Sequence, residues 1–169
     1  MKSSKWLSLT AVCAVMMLYP LSAFAQNCNC QTYRNGTPAS ETIYGDGTND
    51  CIFAGGGDDI VYGAGGDDCL YGDIGNDTLQ GDSGNDYCDG GDGNDNVYGS
   101  SDNDLLLGGS GNDLVMGMSG SDSLYGWYGA DILYGGNNPV SNFDILYGGP
   151  GPETDRCYEG EYYAECEIF

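Results

Sequence analysis

The chain has 169 residues, with 26 acidic and four basic side chains, 30 glycines and no histidine. A formal charge of −22 excludes nucleic acid as a partner, because phosphate contacts need clustered lysine and arginine. Without histidine the commonest general base is missing, as are most zinc and copper site designs.

Residues 1–25 differ from the rest. Lys2 and Lys5 precede an apolar run from Trp6 to about Tyr19, and Pro20 is followed by Leu21-Ser22-Ala23-Phe24-Ala25. A basic start, a short apolar middle and an Ala-x-Ala end predict a secretory signal peptide cleaved after Ala25. The run is shorter than the roughly 20 residues of a spanning helix, so no membrane span is expected. Cleavage removes both lysines and leaves Arg34 and Arg156 against 26 carboxylates. The expected location is secreted, extracellular and oxidising, where disulfides persist.

Residues 26–44 form an N-terminal cap and a degenerate first repeat, in which Gly36 to Tyr44 fits a nine-residue frame with Glu41 at the sixth place. From 45 to 134 the frame runs without a slip through ten units, illustrated by Gly90-Gly91-Asp92-Gly93-Asn94-Asp95-Asn96-Val97-Tyr98. The sixth position is Asp in all ten: Asp50, Asp59, Asp68, Asp77, Asp86, Asp95, Asp104, Asp113, Asp122 and Asp131. The eighth is Ile52, Val61, Leu70, Leu79, Cys88, Val97, Leu106, Val115, Leu124 and Leu133. Residues 135–169 hold irregular repeats and a C-terminal cap. One irregular unit carries four extra residues and ends at Asp144-Ile145-Leu146-Tyr147, and a looser one places Asp155 and Cys157 in the equivalent positions.

Each unit predicts six turn residues followed by a three-residue strand. Glycine at positions one, two and four permits the positive φ of tight turns. In the strand the eighth residue points to one face and the seventh and ninth to the other. Stacked as parallel rungs, two units complete one coil of 18 residues and bury the eighth residues in a thin core. The sixth-position aspartates then fall in two columns, one along each edge, about one rung (~4.8 Å) apart. Carboxylates at that spacing repel, and a divalent cation between them converts repulsion into cohesion. Oxygen-only donors suit calcium, which takes six to eight oxygens in flexible geometry, better than magnesium.

The units resemble the RTX, or hemolysin-type, calcium-binding nonapeptide repeat, G-G-x-G-x-D-x-U-x with U a large apolar residue. The resemblance covers 45–134 firmly and 36–158 loosely. It implies an all-β fold, a right-handed parallel β-roll with two repeats per coil. It also implies several Ca2+ ions, bound between successive coils by the sixth-position Asp and turn carbonyls. Carried onto this chain, ions bridge Asp50 with Asp68, Asp59 with Asp77, and so on to Asp113 with Asp131. Asp144 is the partner of Asp122 across the insertion. Large exported enzymes and toxins carry such repeats beside a catalytic domain, which makes a fragment or accessory of such a protein an alternative reading.

Cysteines follow the same frame. Cys88 takes an inward eighth position and is expected to be a buried free thiol. Cys51 and Cys69 take outward seventh positions one coil apart. They can bond to each other, or Cys28 and Cys30 can clamp the N-terminal segment onto them. Cys157 and Cys166 are expected to staple the C-terminal cap. Phe53, Tyr62, Tyr71, Tyr98, Tyr125 and Tyr134 at the ninth position form a strip. Cross-rung stacking is the reading preferred for it, with glycan or partner binding as the alternative. No catalytic residue is expected: no base can be named to activate a Ser or Cys, and each paired carboxylate belongs to the ladder. The expected function is a secreted calcium-binding repeat protein that folds on binding Ca2+. Its role is structural, adhesive or interactive, with a cell-surface, glycan or protein partner left open.

Overall fold

The computed structural model describes residues 28–136, 144–150, 154–158, 162–164 and 167–168. The signal peptide expected at 1–25 therefore lies outside the described residues. The chain winds as a solenoid that deposits strands alternately into two eight-stranded sheets. One sheet runs β1 (Thr32–Asn35), β3 (Asp50–Gly56), β5 (Cys69–Ile74), β7 (Tyr87–Asp92), β9 (Leu105–Ser110), β11 (Ser123–Tyr128), β13 (Ile145–Tyr147) and β15 (Tyr162–Ala164). The other holds β2 (Thr42–Tyr44), β4 (Ile60–Gly65), β6 (Thr78–Ser83), β8 (Asn96–Ser101), β10 (Leu114–Ser119), β12 (Ile132–Tyr134), β14 (Arg156–Tyr158) and β16 (Glu167–Ile168). Neighbours within a sheet are parallel and one coil of 18 residues apart, as in Cys51↔Cys69 and Thr78↔Asn96. Register survives the irregular units, where Ser123 pairs Ile145 and Ile132 pairs Arg156.

The strands are longer than the sequence predicts. From β4 to β11 each has six residues, because positions one to three of the next unit continue the ladder after the apolar triplet. Positive φ falls at positions two and four and not at position one. Ala64, Asp73, Asp82, Ser100, Met118 and Trp127 adopt it at position two, and Asp102 at position four. Each such residue is strained by roughly 1–3 kcal/mol, and the rungs on either side hold it there.

Position one is glycine in nine of the ten regular units, Ala54 being the exception, and for a different reason. A β-carbon at Gly90 would lie 2.5 Å from Asp95 Oδ2 and 2.5 Å from the Gly108 carbonyl oxygen of the next coil. The sixth-position carboxylate folds back over the first residue of its own unit and leaves little room for a side chain at Gly90; in the second unit the small Ala54 takes the place, buried against the core column.

The core is one continuous column. Ile52, Val61, Leu70, Leu79, Cys88, Val97, Leu106, Val115, Leu124 and Leu133 are fully buried, and Leu146 and Cys157 extend the column into the irregular units. Each coil thus buries two core side chains, worth about 3–6 kcal/mol in total. Ordering the 18 residues of a coil opposes folding by roughly 1–2 kcal/mol per residue. The apolar column is too thin to hold the coil without the turns.

The cysteines adopt the clamp arrangement. Cys28 bonds Cys69 and Cys30 bonds Cys51, with Cα separations of 6.0 and 5.5 Å. Cys51 and Cys69 sit side by side in register but are not joined to each other. Though on the outward face, both are buried, forming an outer apolar cluster with Tyr87 and Leu107 against which Cys28 and Cys30 pack. Cys88 is buried and free, and burial pushes its thiol well above the ordinary range, so it stays neutral. Cys157 is disulfide-bonded; its expected partner, Cys166, lies outside the described residues. Rings at outward positions stack across rungs, with Phe53 on Tyr71, Tyr44 on Tyr62 and Tyr134 on Tyr158 at centroid distances of 4.8, 5.2 and 4.7 Å.

Candidate metal columns

The turn that links each strand to the next ends at position six, where the chain re-enters the sheet. There the side chain points inward and its neighbours are the same residue one coil away. All eleven aspartates expected to be metal ligands, from Asp50 through Asp131 and Asp144, are at most 3 % exposed. They stand in the two expected columns. Each backbone N–H donates to Oδ1 of the next aspartate in its column: Asp50 to Asp68, Asp68 to Asp86, Asp86 to Asp104 and Asp104 to Asp122, at 2.7–3.0 Å. The opposite column runs Asp59, Asp77, Asp95, Asp113 and Asp131 by the same bond, at 2.7–2.9 Å.

Both columns extend beyond the regular repeats. Asp122 N–H donates to Asp144 Oδ1 at 3.0 Å, so the four-residue insertion leaves the ladder intact. Asp131 N–H donates likewise to Asp155 Oδ1 at 3.0 Å. Asp155, 5 % exposed, was not among the expected ligands, although its place before Arg156-Cys157-Tyr158 was the available signal. At the other end Glu41 N–H donates to Asp59 Oδ1 at 2.8 Å.

The second carboxylate oxygen is what distinguishes these columns from ordinary ladders. Oδ2 of Asp59, Asp68, Asp77, Asp86, Asp95, Asp104, Asp113 and Asp122 is buried and accepts no hydrogen bond. A buried anionic oxygen without a donor is costly, and here it recurs in every regular coil. The Gly90 geometry shows what else converges there: the carbonyl oxygen of the following coil. The donor set is oxygen throughout, with no nitrogen or sulfur, which fits a hard cation such as Ca2+.

Burial also raises the carboxyls. Desolvation, reinforced by neighbouring carboxylates and opposed by the donated backbone N–H, lifts Asp104 to about 8 and Asp68, Asp86 and Asp113 to about 7. The same balance brings Asp77, Asp95 and Asp122 to about 6. Each site must therefore take up either a proton or a cation.

Asp50 stands apart. Its Oδ2 accepts the Asp46 N–H at 2.8 Å, and its Oδ1 lies 3.4 Å from Arg34 Nε. Arg34 also donates to Asp46 at 3.0 Å. A guanidinium from β1 thus supplies positive charge at the head of this column.

Outside each aspartate column runs a second ladder that the sequence reading did not single out. Position five is Asn or Asp in eight of the ten regular units. Asn94 donates through its backbone N–H and Nδ2 to Asn76 Oδ1, and Asn112 does the same to Asn94. Asn94→Ala removes three of these bonds and is expected to lower the Tm by roughly 3 °C, a loss of about 1 kcal/mol. Asn94→Asp keeps the acceptor and is expected to lower it less, which thermal unfolding at fixed calcium would check.

Comparison with known proteins follows the same frame. A family model described as the RTX calcium-binding nonapeptide repeat (4 copies) matches residues 35–70, 71–106 and 107–138. No curated protein matches the chain.

Proposed function

Because the chain belongs to the family of RTX calcium-binding nonapeptide repeats, we propose that it is an exported module whose solenoid forms when Ca2+ binds between successive coils. The carrying observation is the recurring buried Oδ2 without a donor. Asp59, Asp68, Asp77, Asp86, Asp95, Asp104, Asp113, Asp122, Asp131 and Asp144 would hold the ions with turn carbonyls, and Asp155 joins them. Asp50 joins them too, with Arg34 sharing its charge. When bound, the cation supplies the positive charge that lets these carboxylates stay ionised inside the fold.

The role is structural or interactive and not catalytic. Export rests on the Lys2-to-Ala25 leader, and calcium at extracellular concentrations matches sites with Kd of about 10⁻⁴–10⁻³ M. Isothermal titration of Ca2+ into chelator-treated protein is expected to show binding of several ions together with a gain of β-sheet signal. Asp86→Asn combined with Asp104→Asn is expected to lower the number of ions bound. Absence of calcium binding at millimolar concentration would overturn the reading.

A further inference from the structure

Along the sheet built from the odd-numbered strands, position two is occupied in turn by Gly55, Asp73, Gly91, Gly109 and Trp127. Gly91 and Gly109 are adjacent in register, and Trp127 is the next rung after Gly109. Two successive rungs without side chains leave a trough, walled at its ends by Asp73 and Trp127. Tyr71, Asp89 and Leu107 form one flank, and Ile74, Asp92, Ser110 and Tyr128 the other, enclosing a groove of about 600 Å³. Ile74 and Tyr128 are 66 % and 60 % exposed, unusual for side chains of their size. From Asp73 to Trp127 is three rungs, roughly 14 Å, which spans about four residues of an extended peptide.

The lining specifies the charge of an occupant. Three carboxylates face the groove, and no lysine or arginine lines it. Arg34 is engaged with Asp46 and Asp50, and Arg156 lies on β14 in the other sheet. Asp89 Oδ2 accepts a hydrogen bond from Tyr87 at 3.2 Å, which fixes one carboxylate on the flank. Trp127 and Tyr128 line the groove, and aromatic rings of this kind attract cations; Tyr71 is stacked on Phe53 and packed by Tyr87 and serves as wall only. The exposed Ile74 suits the methylene stem of a long basic side chain.

We propose that this groove docks a short extended segment of a partner polypeptide carrying lysine or arginine, the cation lying among Asp73, Asp89 and Asp92 and the stem on the aromatic and aliphatic walls. The proposal rests on the interaction-module reading above and names the chemistry of the partner.

The chain has two tryptophans, Trp6 and Trp127, so in the full chain carrying Trp6→Phe the emission of Trp127 reports the groove. The full chain is held in saturating Ca2+, with its circular dichroism recorded alongside, and titrated with Lys-Leu-Lys-Leu, Gln-Leu-Gln-Leu and cellotetraose. Saturable change with the lysine peptide alone is expected. Asp89→Asn with Asp92→Asn is expected to weaken it about tenfold or more. Asp67→Asn with Asp82→Asn, which removes the same charge away from the groove, is expected to leave it within twofold. Equal weakening by both pairs, binding of the sugar in preference to the peptide, or no response from a folded coil would each overturn the proposal. Failure of the coil to form in calcium registers separately in the dichroism and counts against the calcium reading.

Discussion

In excess chelator at pH 8 the protein is expected to lose most of its β-sheet dichroism, and at pH 5 to recover a substantial part of it with no calcium present. The cause is the raised carboxyls: Asp104 at about 8, Asp68, Asp86 and Asp113 at about 7. Their ordinary value is 3.8. Between these limits the folded coil binds more protons than the unfolded chain, so stability of the metal-free fold falls as pH rises. The proton's contribution is complete below the ordinary value and is lost as pH climbs through about 6 to 8. Calcium reverses the trend, because it binds the ionised form and protons compete with it. Dichroism across pH 4.5–8.5, with chelator and with millimolar Ca2+, reads both slopes. A chelated protein whose β-signal is equal at pH 5 and pH 8 would contradict this account of the columns.

Gly93→Ala is expected to lower the Tm at fixed calcium by roughly 10 °C, against a change within about 1 °C for Gly47→Ala. Gly93 has φ +151°, and a β-carbon there would fall inside the Gly75 carbonyl of the preceding coil. Backbone meets backbone at that point, so no rotamer change relieves the overlap and the rungs must part. Overpacking with conformational strain amounts to about 3 kcal/mol, which for a chain of this size corresponds to the stated shift. Gly47 has nothing within 4 Å of the added carbon. Thermal unfolding of both variants at one calcium concentration checks the pair. Equal shifts would mean that glycine acts through chain entropy alone.

Much of the architecture was readable because it is repetitive. A fixed period of nine with one invariant apolar position leaves only one way to bury Val61, Leu79 and Val97 together: as successive rungs of a parallel stack. The same arithmetic placed Asp59 beside Asp77, and predicted the buried free thiol of Cys88. Asp155 and the Asn76–Asn94–Asn112 ladder were equally periodic, and their signal lay in positions six and five of the same frame.

What residue order left open were choices among near-equivalent contacts in space. Cys51 and Cys69 are neighbours in register, so pairing with each other and pairing with Cys30 and Cys28 both satisfied the spacing. The path of the segment before β1 across the outer face settled it. Strand length was set by hydrogen bonds that positions one to three make once neighbouring coils are in place, which local propensity for turns does not anticipate. Gly91 and Gly109 read as ordinary turn residues, and a groove exists there because Asp73 and Trp127 stand on the flanking rungs. Periodicity encodes which residues recur on a face, since it is a property of the chain. The shape and charge of that face arise from residues one coil apart, and they become neighbours only when the coil closes.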